Sequence, residues 1–426
     1  TSAAFLNPAT LSEIDDPQVA FSMNVFRFNF SSFDRWYQPG PVDTSQFPEL
    51  SNAGLSRIGF NAVPNALCLY LVLGQDPFGQ RKEAPAEERR DAREGDKRPR
   101  LSFCYANTDL TNVDLPAKNF QAAAGNFITE IAQGASLRFT RYALGPTLTF
   151  PLGNGLSFGA SFHGVVTDVD QVISSATMTY QGGAGIGSGL TYLKSGVSVD
   201  LAALLGFTWR VSRKTTLGLS VYTPTVPIYG QYAGSEETRA GSAGVNTTVL
   251  SVEQGAFRAI MPFRLQAGVG VDLGKLRFEV DAFMALAEGN ALRAEGSGQN
   301  AEQGRRSVSR NGGAVTVTGT DPFVHSQAAS FNMNLAAGAE YFLNRGFSLL
   351  GGLYTDLSPI ELSPTRPQLS DLLVANRSRM ALTFGIGSYG ELGDVLFGTE
   401  ISYLWGKVAA PNHFVVPPNL EWSSLY

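Results

Sequence analysis

The sequence is poor in charge, in cysteine and histidine, and in long apolar runs, and each shortage excludes something. Charged residues make up 16% of the 426-residue chain, against roughly 25% in ordinary soluble proteins. The net charge of −5 at pH 7 leaves no basic surface for a nucleic-acid partner. No apolar stretch reaches the roughly 20 residues that a membrane helix requires, and the mean hydropathy is −0.02. The two cysteines, Cys68 and Cys104, and the three histidines, His163, His325 and His413, show no metal-ligand spacing. No glycine-rich phosphate loop follows a strand and opens a helix, and the glycine run at 182–189 reads as loop chemistry. Ser161 and His163 share a strand face, but on the inward parity, opposite Phe158 and Phe162. The expectation is a chain without enzyme activity, cofactor or metal. The opening at Thr1, with no secretory leader, reads as a mature N-terminus.

What is present is alternation. Val197, Val199, Leu201, Ala203, Leu205, Phe207, Trp209 and Val211 fall on one parity, and Ser198, Asp200, Gly206, Thr208 and Arg210 on the other. Successive strand side chains point to opposite faces, so this segment has one wholly apolar face and one mixed polar face. It is also far longer than the five to six residues or so of a typical soluble strand. Long strands with an unbroken apolar face are what a transmembrane β-barrel requires, apolar toward lipid and polar toward the lumen.

The unit recurs. Phe257 to Leu273 and Leu276 to Leu286 are two alternating runs joined at Gly274-Lys275, a hairpin signal. Short turns at 153–155, 212–214, 344–346 and 391–394 alternate with long polar segments near 170–195, 225–255, 288–328 and 360–377. Short turns at one rim and long loops at the other match the periplasmic and extracellular ends of an outer-membrane barrel. Counting apolar runs predicts fourteen antiparallel strands over 18–426, preceded by a short segment at 1–17. In the first strand the apolar parity switches, which predicts a β-bulge near Val25–Phe26. The last strand, Leu420 to Tyr426, is too short to span, which implies a truncated C-terminus or a weak closing strand.

Two motifs carry a resemblance. Phe5-Leu6-Asn7-Pro8-Ala9-Thr10-Leu11, leading into the first strand, is similar to the end of the N-terminal hatch in the FadL-like family of outer-membrane long-chain fatty acid and hydrocarbon transporters. Val63-Pro64-Asn65-Ala66 resembles that family's second-strand element. The resemblance implies a Gram-negative outer-membrane barrel, plugged by a hatch, that takes up apolar small molecules by diffusion and releases them sideways into the wall. Asn7, Pro8 and Ala9 would then be hatch residues, and Asn107, Thr108 and Asp109 would occupy the third-strand kink at the lateral opening. That segment has no glycine, which counts against a lateral opening there, and the hatch is short, which suits a channel more open than the family's usual form.

Further expectations concern the loops and the lumen. Phe120, Ala124, Phe127, Ile128 and Ile131 recur at helical spacing, so an extracellular amphipathic helix is expected within 111–134, placed to cover an apolar groove. The lumen-parity charges include Arg210, Arg258, Arg264, Glu279 and Asp281, which either steer a carboxylate headgroup or pair with one another. The mixed-charge insert at 80–100 would hang in the periplasm, as a solvated loop or as a docking arm for a protein partner. Cys68 and Cys104 lie on the lumen parity and flank that insert, so a disulfide is expected in the oxidising compartment. Besides uptake, two functions remain open: a non-transporting scaffold in an outer-membrane assembly, and a general porin.

Overall fold

The computed structural model describes residues 3–14, 16–37, 53–74, 98–124, 127–181, 184–242, 245–296, 304–311, 313–360, 375–390, 393–409 and 419–425. After a short helix α1 (Ala3–Leu6) and a 3-10 turn (Pro8–Glu13), everything in regular structure is antiparallel strand. The first six strands are long and pair in chain order: β1 (Gln18–Tyr37), β2 (Ala53–Val72), β3 (Arg100–Ala124), β4 (Phe127–Gly153), β5 (Leu156–Gln181) and β6 (Ala184–Arg210). The next four ladder positions are each interrupted. β7 (Thr215–Tyr222) and β8 (Val226–Ser242) both pair with β6. β9 (Val245–Ala259) pairs with β8, and β10 (Arg264–Asp272) with β7. Pro224 and Pro262 stand at these two breaks, where a residue without N–H cannot continue the ladder.

β11 (Leu276–Ala285) then pairs with β10, and β12 (Glu288–Gly296) with β9. β13 (Gly304–Asn311) and β14 (Ala314–Asp321) form a hairpin on the remaining length of β9. β15 (Phe323–Ala329) returns against β12, and β16 (Asn332–Phe342) against β11. β17 (Phe347–Asp356), β18 (Ala375–Tyr389), β19 (Asp394–Ala409) and β20 (Asn419–Leu425) follow in order. β20 pairs with β19 on one side and with β1 on the other.

The two faces differ as the alternation requires. On β6, Leu201, Leu205, Phe207 and Trp209 are exposed, whereas Ser198, Asp200, Ala202, Leu204 and Thr208 are buried. The same outward apolar set continues on β5 (Phe158, Phe162, Val166), β18 (Met380, Leu382, Phe384, Ile386) and β19 (Phe397, Ile401, Tyr403). From Trp209 to Val197 the strand climbs about 41 Å at about 3.4 Å per residue, which a tilt of about 40° reduces to about 30 Å of height. That matches a bilayer's hydrocarbon core. No helix among the described residues is long and apolar enough to cross a membrane, which says nothing of crossing by strands.

The short turns are built locally. Gly153, Asn154 and Gly155 are all left-handed, with φ of 89°, 55° and 73°. Asp272 Oδ1 accepts from the Gly274 amide at 2.7 Å, and Asn344 Oδ1 from Gly346 at 2.8 Å. These are side-chain-to-backbone turns of the kind Asp and Asn favour.

Several expectations change. The alternation predicts fourteen strands; the described residues form twenty, because four are interrupted and the β13–β14 hairpin is added. Most described residues of the polar stretches at 170–195, 225–255 and 288–328 are strand, not loop. Val169, Gln171 and Ile173 remain buried there while the other parity becomes mixed, with Asp168, Asp170 and Ser174 among Val172 and Met178, so the clean alternation disappears although the ladder continues. The helix expected within 111–134 is a β3–β4 hairpin in which Phe120 stands opposite Ile131 and Ala123 opposite Ile128. Its second partner β5 fixes the extended form, and tertiary pairing overrides the 3.6-residue spacing. The bulge in β1 lies where expected, between Asn24 and Arg27. Residues 75–97 of the charged insert and 361–374 lie outside the described residues.

Candidate functional site

The N-terminal segment is docked on the buried face of β2 to β7. Asn7 caps the 3-10 turn, its Oδ1 accepting from the Ala9 amide at 3.1 Å, with Pro8 at the first helical position. Its Nδ2 donates to the Phe207 carbonyl at 3.2 Å. The segment's own carbonyls are satisfied by strand side chains: Thr149 Oγ1 donates to Pro8 at 2.6 Å, Ser220 Oγ to Leu6 at 2.6 Å, Ser161 Oγ to Ala4 at 3.2 Å and Arg100 Nε to Ile14 at 3.1 Å. Arg210 of β6 pairs with Glu13 at 3.5 Å.

Glycine makes this approach possible. Gly159 and Gly206 are register partners on β5 and β6. A Cβ at Gly206 would stand 2.3 Å from Asn7 Oδ1, and one at Gly159 would stand 2.5 Å from the Pro8 carbonyl carbon. Asn7, Pro8 and Ala9 are all buried, so the structure brings the sequence motif and a glycine groove together. Below, Ala4 and Leu11 pack on Cys68, Tyr70 and Cys104. The expected disulfide is present between Cys68 and Cys104. Above, the Phe5 ring stacks on His163 at 4.8 Å, and His163 Nδ1 meets the Tyr222 hydroxyl at 3.3 Å.

A charged layer lies over this packed base. Asp109 on β3 stands opposite Arg141 on β4 and faces Arg377 and Arg379 of β18. Arg141 also faces Asp200 and Arg264, while its Nε donates to Thr167 Oγ1 at 3.1 Å. Arg379 pairs with Glu400 at 3.2 Å and Asp356 at 3.4 Å. Arg264 has neither a hydrogen bond nor an ion pair among the described residues; its guanidinium lies 4.2 Å from the Tyr222 ring centroid. Glu279 and Asp281 are on β11, facing one another and, for Glu279, Glu13. Asn107 and Asp109 flank a register shift that leaves Thr108 without a partner in the ladder. Arg258 is a correction: it lies on the face opposite to Phe257 and Ala259, which are buried, and pairs with Glu295 at 3.6 Å. The break at 260–263 exchanges the parity of β9 relative to β10, which a continuous two-residue count carries straight through.

Beyond the apolar band, five strands surround a half-open cavity of about 240 Å³. Glu253 of β9 is its centre. It accepts from His325 Nε2 at 2.7 Å and Tyr232 Oη at 3.4 Å, and pairs with Arg305 at 3.4 Å. Arg305 Nη2 also donates to Glu236 at 3.0 Å. Burial pushes the Glu253 carboxyl up, but the His325 hydrogen bond and charge, with Arg305 and Lys194, outweigh it and hold the group below the usual carboxylate range. Burial and then the nearby Glu253 push the Tyr232 hydroxyl up. Sequence reasoning missed this cluster, since its members come from β6, β8, β9, β13 and β15 and no local motif links them. The glycine groove did leave a signal: glycines interrupting the inward parity at 159, 206 and 218.

Two outcomes are expected. Gly206→Ala should displace Asn7 and Pro8, and amides within 3–13 should then exchange with solvent at least tenfold faster by mass spectrometry, against unchanged exchange in β6. At Glu253 the depressed carboxyl contributes stability above the unfolded value of about 4.3, and that contribution is lost as pH falls through its lower folded value. Limited proteolysis should therefore find 323–329 protected at pH 7 and opening as the pH is taken down through that lower value. Glu253→Gln should loosen the same strand at pH 7 by about 2 kcal/mol.

No protein-family model matches the chain, and no curated protein matches it in sequence. Solved structures match its fold. A crystal structure of the Pseudomonas putida toluene transporter TodX aligns with 100% of this chain and 91% of its own, at a TM-score of 0.53 and 13% identity. A second crystal structure of that transporter gives the same coverage and TM-score at 15% identity. The TodX deltaS2S3 mutant, a monoaromatic hydrocarbon channel, aligns with 100% of this chain and 92% of its own at 0.52 and 13%. The chain thus has the all-β fold of the FadL-like hydrocarbon transporters represented by TodX.

Proposed function

We propose that this protein is a Gram-negative outer-membrane barrel that takes up apolar small molecules, hydrocarbons or long-chain fatty acids, by diffusion and releases them through its wall. In this reading the interrupted pairs β7/β8, β9/β10, β11/β12 and β15/β16 are single staves, the β13–β14 hairpin stands outside the ring, and fourteen staves close through β20 and β1. Residues 1–17 are the hatch and 18–426 the barrel. The cavity beyond the apolar band faces the cell exterior, and the short turns face the periplasm.

One observation carries the reading. Beneath the charged layer the interior is packed with the N-terminal segment, so an apolar molecule has no apolar path straight down past β3 to β7. The wall offers another route: β2 and β3 stop pairing above Ala66 and Ala106, beside the register shift at Asn107 and Asp109. A hydrocarbon reaching that seam would leave toward lipid, where Leu67 and Phe103 are exposed just below it. Arg264, beside Tyr222, is the lumen cation best placed to receive a carboxylate if the cargo carries one.

A second reading, a general porin, is favoured by β11 to β19. There Glu279 and Glu400 are exposed on the inward parity. The deciding experiment is mass spectrometry of small molecules extracted from protein purified out of its own membrane, with planar-bilayer conductance beside it. Uptake predicts a reproducibly enriched apolar compound and little steady current. Steady ion conductance with no enriched compound would favour the porin. Neither signal would favour a scaffold, with the 80–100 insert as the first segment to test for protein partners.

A further inference from the structure

The seam between β2 and β3 has a defined lower end. The two strands pair over seven residues, Ala66 to Val72 against Arg100 to Ala106. Above that, among the described residues, β2 pairs with β1 alone and β3 with β4 alone. The disulfide sits inside this short ladder: Cys68 and Cys104 are directly opposed, two positions below the last pair, Ala66 and Ala106. Leu67, Leu69 and Phe103 alternate with them and are exposed on the outward face. On the inward face both sulfurs are fully buried against Ala4 and Leu11, with Phe5 and Ile14 beside them.

We propose that the Cys68–Cys104 bond is a clamp that holds the foot of this seam closed and sets how far down the wall it opens. A ladder of seven pairs whose upper neighbours have parted frays from its open end, because terminal pairs lack support on one side. A covalent link two pairs from that end stops the fray. The bond closes a chain of 36 residues, so without it the two strands separate with the freedom of a long loop. The same sulfurs floor the N-terminal segment. A seam that ran lower would therefore take away the wall on which Ala4 and Leu11 rest, and the plug would loosen with it. What leaves by the seam rests on the lateral-release reading; the clamp rests on the pairing alone.

The test is hydrogen exchange by mass spectrometry on the full chain in detergent. It compares the oxidised protein, the folded protein reduced by a phosphine with thiols counted by alkylation, and Cys68→Ala/Cys104→Ala. Loss of the bond should speed exchange at least tenfold in 66–72, 100–106 and 4–11, with 156–166 and 197–209 unchanged. Resting leak of a small hydrophilic solute from reconstituted vesicles should rise severalfold. Unchanged exchange in the two ladder segments, in a form shown to lack the bond and to keep its heat-modifiable gel mobility, overturns the clamp. Should the alanine variant fail to fold, the reduced wild type carries the comparison; should the reductant not reach the bond, the variant does. Failure of the uptake reading shows separately, as absence of any bound apolar compound in the oxidised protein.

Discussion

In the proposed barrel each strand separates two media, and its backbone is satisfied chiefly by its neighbours. In hydrocarbon no water is present to bond a free N–H or C=O, so strands that cross it must pair on both edges. From that constraint the rest follows. Side chains take one of two chemistries according to parity, which is why Leu205 and Phe207 are exposed while Leu204 and Thr208 are buried one residue away. Turns at the short rim need only two or three residues. The interior, closed off from lipid, must be filled or wetted.

It is filled in layers of opposite character. The base is packed by a piece of the chain itself, admitted by glycines at 159 and 206 and held by hydroxyls of Thr149, Ser161 and Ser220 that bond its carbonyls. Over it lie arginines and carboxylates that share one another's fields, with Arg264 against an aromatic ring. Farther out, Glu253 gathers His325, Tyr232 and Arg305. An apolar molecule finds little comfort in the upper two layers, and among the described residues the β2–β3 ladder ends near them, at Ala66 and Ala106. Polar contents and the end of the β2–β3 ladder lie at one level of the interior, where Asp109 and Arg141 stand beside the register shift.

Much of the fold was legible in the sequence because period two is a local property. The alternation of Val197 to Val211, the turns at Gly153 to Gly155 and Gly274-Lys275, and the parity switch at Val25–Phe26 are each contained within a few residues. The opposition of Cys68 and Cys104 was legible too, since both fall on one parity and flank the insert between them. Local evidence failed wherever two periods fitted. Phe120 to Ile131 satisfies a helix and a hairpin alike, and only the presence of β5 beside β4 selects the hairpin.

By itself, then, the sequence determined that the chain is an all-β wall with an apolar outer face, short turns at one rim and an N-terminal motif ahead of the first strand. Those are consequences of nearest neighbours and strand periodicity, which one chain carries without reference to any fold. Tertiary structure decided which glycines admit Asn7 and Pro8, which face Arg258 takes beyond the break at 260–263, which five strands meet at Glu253, and where β2 parts from β3. Each of these depends on register between segments far apart in the chain, and register is set by the sum of all the pairings around the sheet.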